Sequence, residues 1–238
     1  MAIQGHTPAP ARKPLRAKLA PALLILLGVG ALLIGLNFLL VPTAMQKDSV
    51  AALAGQQYVD VQLAAFDAHP LLIRVHVAMG VVFTLLAALQ FWRSFRNRNL
   101  QRHRILGYVG FACLSLLPVT GVATAIVYPF AGMAAVWPNL FWSLVIGFCV
   151  VSAWRAIRRR DVISHEAWVT RATGMTLGIT LSRVYEPILV NVFHMDVRLA
   201  FAVVFWLGQG EGLALAELWL RRSQGPMARR AAARLIRP

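Results

Sequence analysis

The stretch PALLILLGVGALLIGLNFLLV, residues 21–41, decides the class of this fold. It is free of charge and has the length of about 20 apolar residues that a helix needs to cross a hydrocarbon core. A cleaved signal peptide is the rival reading, because basic residues precede the run. The run exceeds the roughly 7–15 residues of a signal core and no small-x-small cleavage site follows it, so we read an uncleaved anchor.

Further runs of the same kind follow at 70–92, 105–127, 138–154, 168–192 and 199–220. The expected fold is an all-α polytopic transmembrane helical bundle of about six spans. Composition agrees: the chain is 58% hydrophobic and only 14% charged, where a soluble domain is about half apolar and about a quarter charged. The net charge of +15 could by itself suggest nucleic acid. The Lys and Arg residues flank the apolar runs, however, so the expected surroundings are the lipid bilayer, with no nucleic-acid partner.

Those flanking charges give a direction. Arg12, Lys13, Arg16 and Lys18 precede the first run. Arg93, Arg96, Arg98, Arg102 and Arg104 separate the second and third. Arg155, Arg158, Arg159 and Arg160 follow the fourth, and Arg221, Arg222, Arg229, Arg230, Arg234 and Arg237 follow the sixth. With six spans all four groups fall on one side, which the positive-inside rule makes cytoplasmic. The expected organisation is a basic cytoplasmic tail at 1–20, a transmembrane domain at 21–220 and a basic cytoplasmic tail at 221–238. Both termini are then inside. Residues 43–68 form an external segment, either a helix lying on the membrane surface or an ordinary connection.

Ionisable groups inside a span are costly and mark candidate sites. In the second span His69, His76, Gly80 and Gln90 share one helical face. In the fifth, Arg183 and Glu186 are three residues apart and can pair. Pro187 follows them, and Thr176 and Thr180 extend the polar face. In the sixth, Gly208-Gln209-Gly210-Glu211-Gly212 reads either as a broken helix lining a cavity or as close packing through small residues. Glu211 needs an interior partner, and Arg183 is the candidate. His103 and His165 open the third and fifth spans at the basic side. Histidines on both sides are what a transmembrane b-type haem protein would use. Cys113 and Cys149 lie inside apolar runs and offer no CxxC. HEAW at His165 is not HExxH, because residue 169 is Val, and no nucleotide-binding glycine motif follows a strand.

With these residues in place, the chain resembles a bacterial membrane family catalogued as domain of unknown function 2306, over residues 68–183. The resemblance rests on His69-Pro70 with His76, Gly80 with Gln90-Phe91, His103-Arg104 with Gly107, and then Asp161, His165, Trp168, Arg171 and Arg183. Val169 and Gly110 depart from the pattern, and neither touches a histidine. The resemblance implies a helical bundle in a bacterial inner membrane with bundle-facing histidines; it implies no reaction. The layout is also loosely similar to transmembrane cytochrome b bundles.

Three functions compete. In the first, a redox protein, His76, His103 and His165 ligate haem b or contact a quinone, and Gln90, Arg183 and Glu186 hold propionates, carbonyls or protons. The second is a small-solute or ion transporter with a mid-membrane site of Arg183, Glu186 and Glu211, beside Gln209 and His69. No internal repeat supports it. The third is a non-catalytic subunit or assembly factor, alone as a homo-oligomer or with a membrane-complex partner. The redox reading leads.

Overall fold

The computed structural model describes residues 16–235 except 93, 94, 96, 97 and 129, with the side chains of 16–21, 53–54 and 222–235 also outside the described set. Expectations for the tails at 1–15 and 236–238, and for Arg93 and Arg96, therefore lie outside the described residues.

Among the described residues the secondary structure is helical throughout, with no strand. The first apolar run forms α1 (Arg16–Leu40). The segment after it is helical as well: α2 (Thr43–Ala54), α3 (Gln56–Tyr58), a π-helical turn (Val59–Leu63) and α4 (Ala64–Ala68). Four of the remaining runs become single long helices, α5 (Pro70–Phe91), α6 (Leu100–Val127), α7 (Met133–Arg158) and α10 (Val197–Leu235). Together with α1, these are the five helices among the described residues that are long and apolar enough to cross a membrane. The run expected at 168–192 is divided into α8 (Val162–Leu177) and α9 (Ile179–Asn191). Gly178 joins them in a right-handed helical conformation. Its N–H bonds the Gly174 carbonyl at 3.0 Å, and its carbonyl accepts from the Ser182 N–H at 3.3 Å. Hydrogen bonding thus runs on through Gly178, and residues 162–191 together reach about 45 Å at 1.5 Å per residue, length enough for the expected sixth crossing.

Local chemistry sets the helix ends. Asn99 caps α6 by accepting from the Arg102 N–H at 2.9 Å. Asp161 caps α8 by accepting from the Ser164 N–H at 3.0 Å, and hydrogen bonding from the Ser164 side chain, then from that N–H, holds its carboxyl below the usual carboxylate range. Pro70 occupies the first turn of α5, where its missing N–H costs nothing.

Lipid tails are as apolar as leucine, so helices associate in a membrane through close packing and polar contacts. Both are present. Gly174 and Gly178 face Gly208 and Gly212 along the α8/α9–α10 seam, so close that a methyl group at any of the four would overlap the opposing chain. This decides between the two readings of GQGEG: the segment stays helical, and its outer glycines serve close packing. On the next seam Thr180 donates to the Leu27 carbonyl at 3.0 Å and docks α1. Ser182, fully buried, donates to the Val204 carbonyl at 2.8 Å.

The segment 43–68 does not lie flat on the surface. Tyr58, Val59 and Leu63 are buried against Phe130, Val197, Phe201, Val204 and Phe205. The rings of Tyr58 and Phe130 meet edge-on at 5.1 Å. The segment is a cap seated on one end of the bundle, here called the cap end. The end carrying Arg102, Arg104, Arg155 and Arg158 is the basic end.

Candidate ligand-binding site

A cavity of about 210 Å³ runs through the middle of the bundle, with walls from α1 and α5 through α10. Apolar side chains such as Val81, Leu117, Ile146 and Met175 make most of its surface. His76, Asn139, Ser143, Arg183, Gln209 and four threonines supply the polar groups.

His76 comes from α5, and its Nδ1 lies 2.8 Å from the Thr120 hydroxyl of α6. That hydroxyl sits 3.1 Å from the Leu116 and Leu117 carbonyls of its own helix. A hydroxyl has a single hydrogen. With that hydrogen directed at a backbone carbonyl, Thr120 accepts from His76 Nδ1–H, and Nε2 keeps its lone pair. Ser143 on α7 donates to the Pro118 carbonyl at 3.0 Å, which ties α7 to α6 beside the cavity.

Arg183 lies where cavity and cap meet. Its Nη1 donates to Glu186 Oε2 at 3.1 Å, the i, i+3 pair expected from the sequence. Its guanidinium sits 5.9 Å from the centre of the Phe201 ring, and its charge lies close to the Tyr58 side chain of the cap. Burial pushes the Tyr58 hydroxyl above its usual range, and the charge of Arg183 pulls the other way. A third of the Arg183 side chain (33%) remains accessible, whereas Glu186 keeps 4%. Glu186 Oε1 and Gln209 Oε1 are buried polar atoms without a hydrogen-bond partner. Gln209 lines the cavity, so its amide is available to a ligand.

The sequence-selected residues thus separate. His76, Arg183 and Gln209 converge on the cavity, with Glu186 behind Arg183. Gln90 is elsewhere: its Nε2 donates to the His103 main-chain carbonyl at 3.1 Å, clamping α5 to the start of α6. His165 donates from Nδ1 to the Ala153 carbonyl at 3.0 Å. His69 is exposed at the start of α5, and its carbonyl accepts from the Tyr128 hydroxyl at 2.5 Å. Glu211 does not meet Arg183. It is exposed on the outside of α10 and accepts from the Tyr185 hydroxyl of α9. Among the described residues no group of three or more His, Cys, Asp or Glu side chains is arranged to hold a metal ion.

Sequence reasoning missed Thr120, Tyr58, and the pair Asn139 and Ser143. Asn139 and Ser143 are four residues apart in an apolar run, a signal that was there to read. It also missed Glu217, which pairs with Arg171 at 2.5 Å across α8 and α10 near the basic end. Arg171 also stacks over the Trp168 ring at 4.7 Å. Thr120 and Tyr58 carried no such signal.

No curated protein and no solved structure matches the sequence. The model of the family described as predicted membrane protein (DUF2306) matches residues 73–220, from early α5 to the middle of α10. That range covers every cavity wall except α1 and takes in both the Arg183–Glu186 pair and the glycine seam, so the chain belongs to the DUF2306 family of predicted membrane proteins.

Proposed function

We propose that the central cavity binds a quinone head group and that the protein serves electron transfer in a bacterial inner membrane, with the basic end and both termini in the cytoplasm. The observation that carries this reading is the make-up of the cavity. Its walls are apolar, and its few polar groups include one fixed cationic donor, Arg183, one imidazole, His76, and one unpartnered amide oxygen, Gln209 Oε1. A quinone ring needs donors at its carbonyls, and a quinol needs acceptors for its hydroxyls. The set offers both. Size agrees as well. A dry cavity of about 150 Å³ holds benzene, so about 210 Å³ suits one substituted ring and is small for a tetrapyrrole.

The test is equilibrium titration of the full chain in lipid nanodiscs with decylubiquinone, read by quenching of tryptophan fluorescence. Saturable quenching is expected, with affinity about tenfold weaker in Arg183→Leu and in His76→Leu. A purely linear, partition-like response overturns the reading.

A second reading, haem b at the basic end, draws on one observation. His165 is oriented through Nδ1 by a backbone carbonyl, which is how iron-bound imidazoles are commonly held, with Nε2 left for the metal. Absorbance of protein expressed with ample haem decides it: no Soret band and no reduced α-band removes this reading. The transport reading, in which Gly208 to Gly212 would act as a flexible gate, draws no support from α10, which is helical through those residues.

A further inference from the structure

Glu211 sits where a carboxylate should not be left alone. It is the fifteenth residue of the apolar stretch Val197–Arg221 of α10, near the middle of the crossing. It is exposed on the bundle exterior. Its partner is the Tyr185 hydroxyl, a neutral donor. Two other carboxylates in the crossings differ: Glu186 is buried on Arg183 and Glu217 is paired with Arg171. Among the described residues Glu211 has no cationic partner.

Its surroundings have the form of a helix-packing face. Leu207, Glu211, Ala214 and Leu218 are exposed at spacings of four, three and four residues along α10, which puts them on one stripe. Gly210 and Ala214 bracket Glu211 with small residues four apart, the spacing that lets a second helix approach closely. Gly210 has only Trp142 near it, at 3.6 Å from a built methyl position. Exposed Val184 and Ile188 of α9 flank the stripe.

We infer that this α9–α10 face is the docking surface for a transmembrane helix of another protein that carries a basic residue at mid-depth, placed to pair with Glu211. Charge complementarity selects this occupant. Lipid tails offer the carboxylate nothing. A second copy of this chain, docked symmetrically through the same stripe, would set Glu211 against Glu211 and bring no cation. A helix bearing Arg or Lys neutralises the charge and leaves Tyr185 in place as a supporting donor, an arrangement typical of ionisable residues in membranes.

The experiment uses the full chain in liposomes with two synthetic apolar helices, one carrying a single central arginine and the other leucine at that position. Association is read by energy transfer from a dye on the chain to one on the peptide. The arginine peptide is expected to associate about tenfold more tightly than the leucine peptide, and Glu211→Gln, which retains the bond to Tyr185, is expected to erase the difference. Equal association of the two peptides overturns the inference, as does a preference that survives in Glu211→Gln. Ala214→Cys reports on the rival occupant: efficient disulfide-linked dimers of the chain in native membranes also overturn it.

Discussion

His76 and Thr120 share a hydrogen bond of 2.8 Å between α5 and α6, and it determines which imidazole nitrogen is left for a ligand. Thr120→Val keeps the shape and removes the acceptor. The Nδ1–H then has no partner, and a buried donor left so costs about 1–3 kcal/mol. We expect Thr120→Val to lower thermal stability in detergent and to weaken decylubiquinone binding more than Ser115→Ala, a control on the same helix that does not line the cavity and whose hydroxyl bonds the Phe111 carbonyl. Equal binding loss in the two variants would remove the role given to this bond.

The glycine seam makes a sharper contrast. A methyl group at Gly212 would overlap the Gly174 carbonyl, whereas at Gly147 it would meet nothing within 4 Å. Gly212→Ala is therefore expected to cost at least the roughly 1–3 kcal/mol of overpacking, because the obstacle is rigid backbone. Gly147→Ala replaces a weak helix former, worth about 0.8–1.0 kcal/mol in a helix interior, and should leave the melting midpoint unchanged or raised. Scanning fluorimetry of the two variants side by side checks both.

Much of the architecture was legible because hydropathy and charge report on the membrane directly. Five apolar runs became five spanning helices, and the Arg183–Glu186 pair followed from one-helix geometry. What escaped depends on two helices at once. Helical periodicity put Gln90 on the face of His76, yet fourteen residues of rise carry it away from the cavity to the His103 carbonyl. Glu211 and Gln209 are two positions apart, and that step sends one to the bundle exterior and the other to its centre. Tyr58 reaches Arg183 only because the segment 43–68 folds back as a cap, and no periodicity in the chain encodes that return.

At the basic end the Arg171–Glu217 contact should behave as a coupled unit. The side chains are 26% and 35% exposed, so solvent screens the pair and its worth stays near that of partly exposed ion pairs, about 1 kcal/mol or less. A double-mutant cycle with Arg171→Leu and Glu217→Leu is expected to show positive coupling of that order. Arg171→Lys should recover little of the loss, since lysine cannot reproduce the planar stack over Trp168. Full recovery by lysine would show that charge alone matters there.

The cap end should respond to alkaline pH through Tyr58. Burial raises its hydroxyl above the ordinary tyrosine value of about 10. The folded protein therefore keeps the proton at a pH where the unfolded chain has begun to lose it. Above about pH 10 the unfolded state binds fewer protons, so stability falls as pH rises. Below that pH both states hold the proton and the contribution is complete. Ionised Tyr58 would also lie beside Glu186, whose charge opposes it. Melting midpoints between pH 8 and pH 11 test this: the decline should be steeper for the natural chain than for Tyr58→Phe, which keeps the packing against Phe130 and Phe201 but has no proton to lose. Tyr128, also raised by burial, titrates in both proteins and cancels in the difference. Parallel curves for the two would mean that Tyr58 is not held protonated by its burial under the cap.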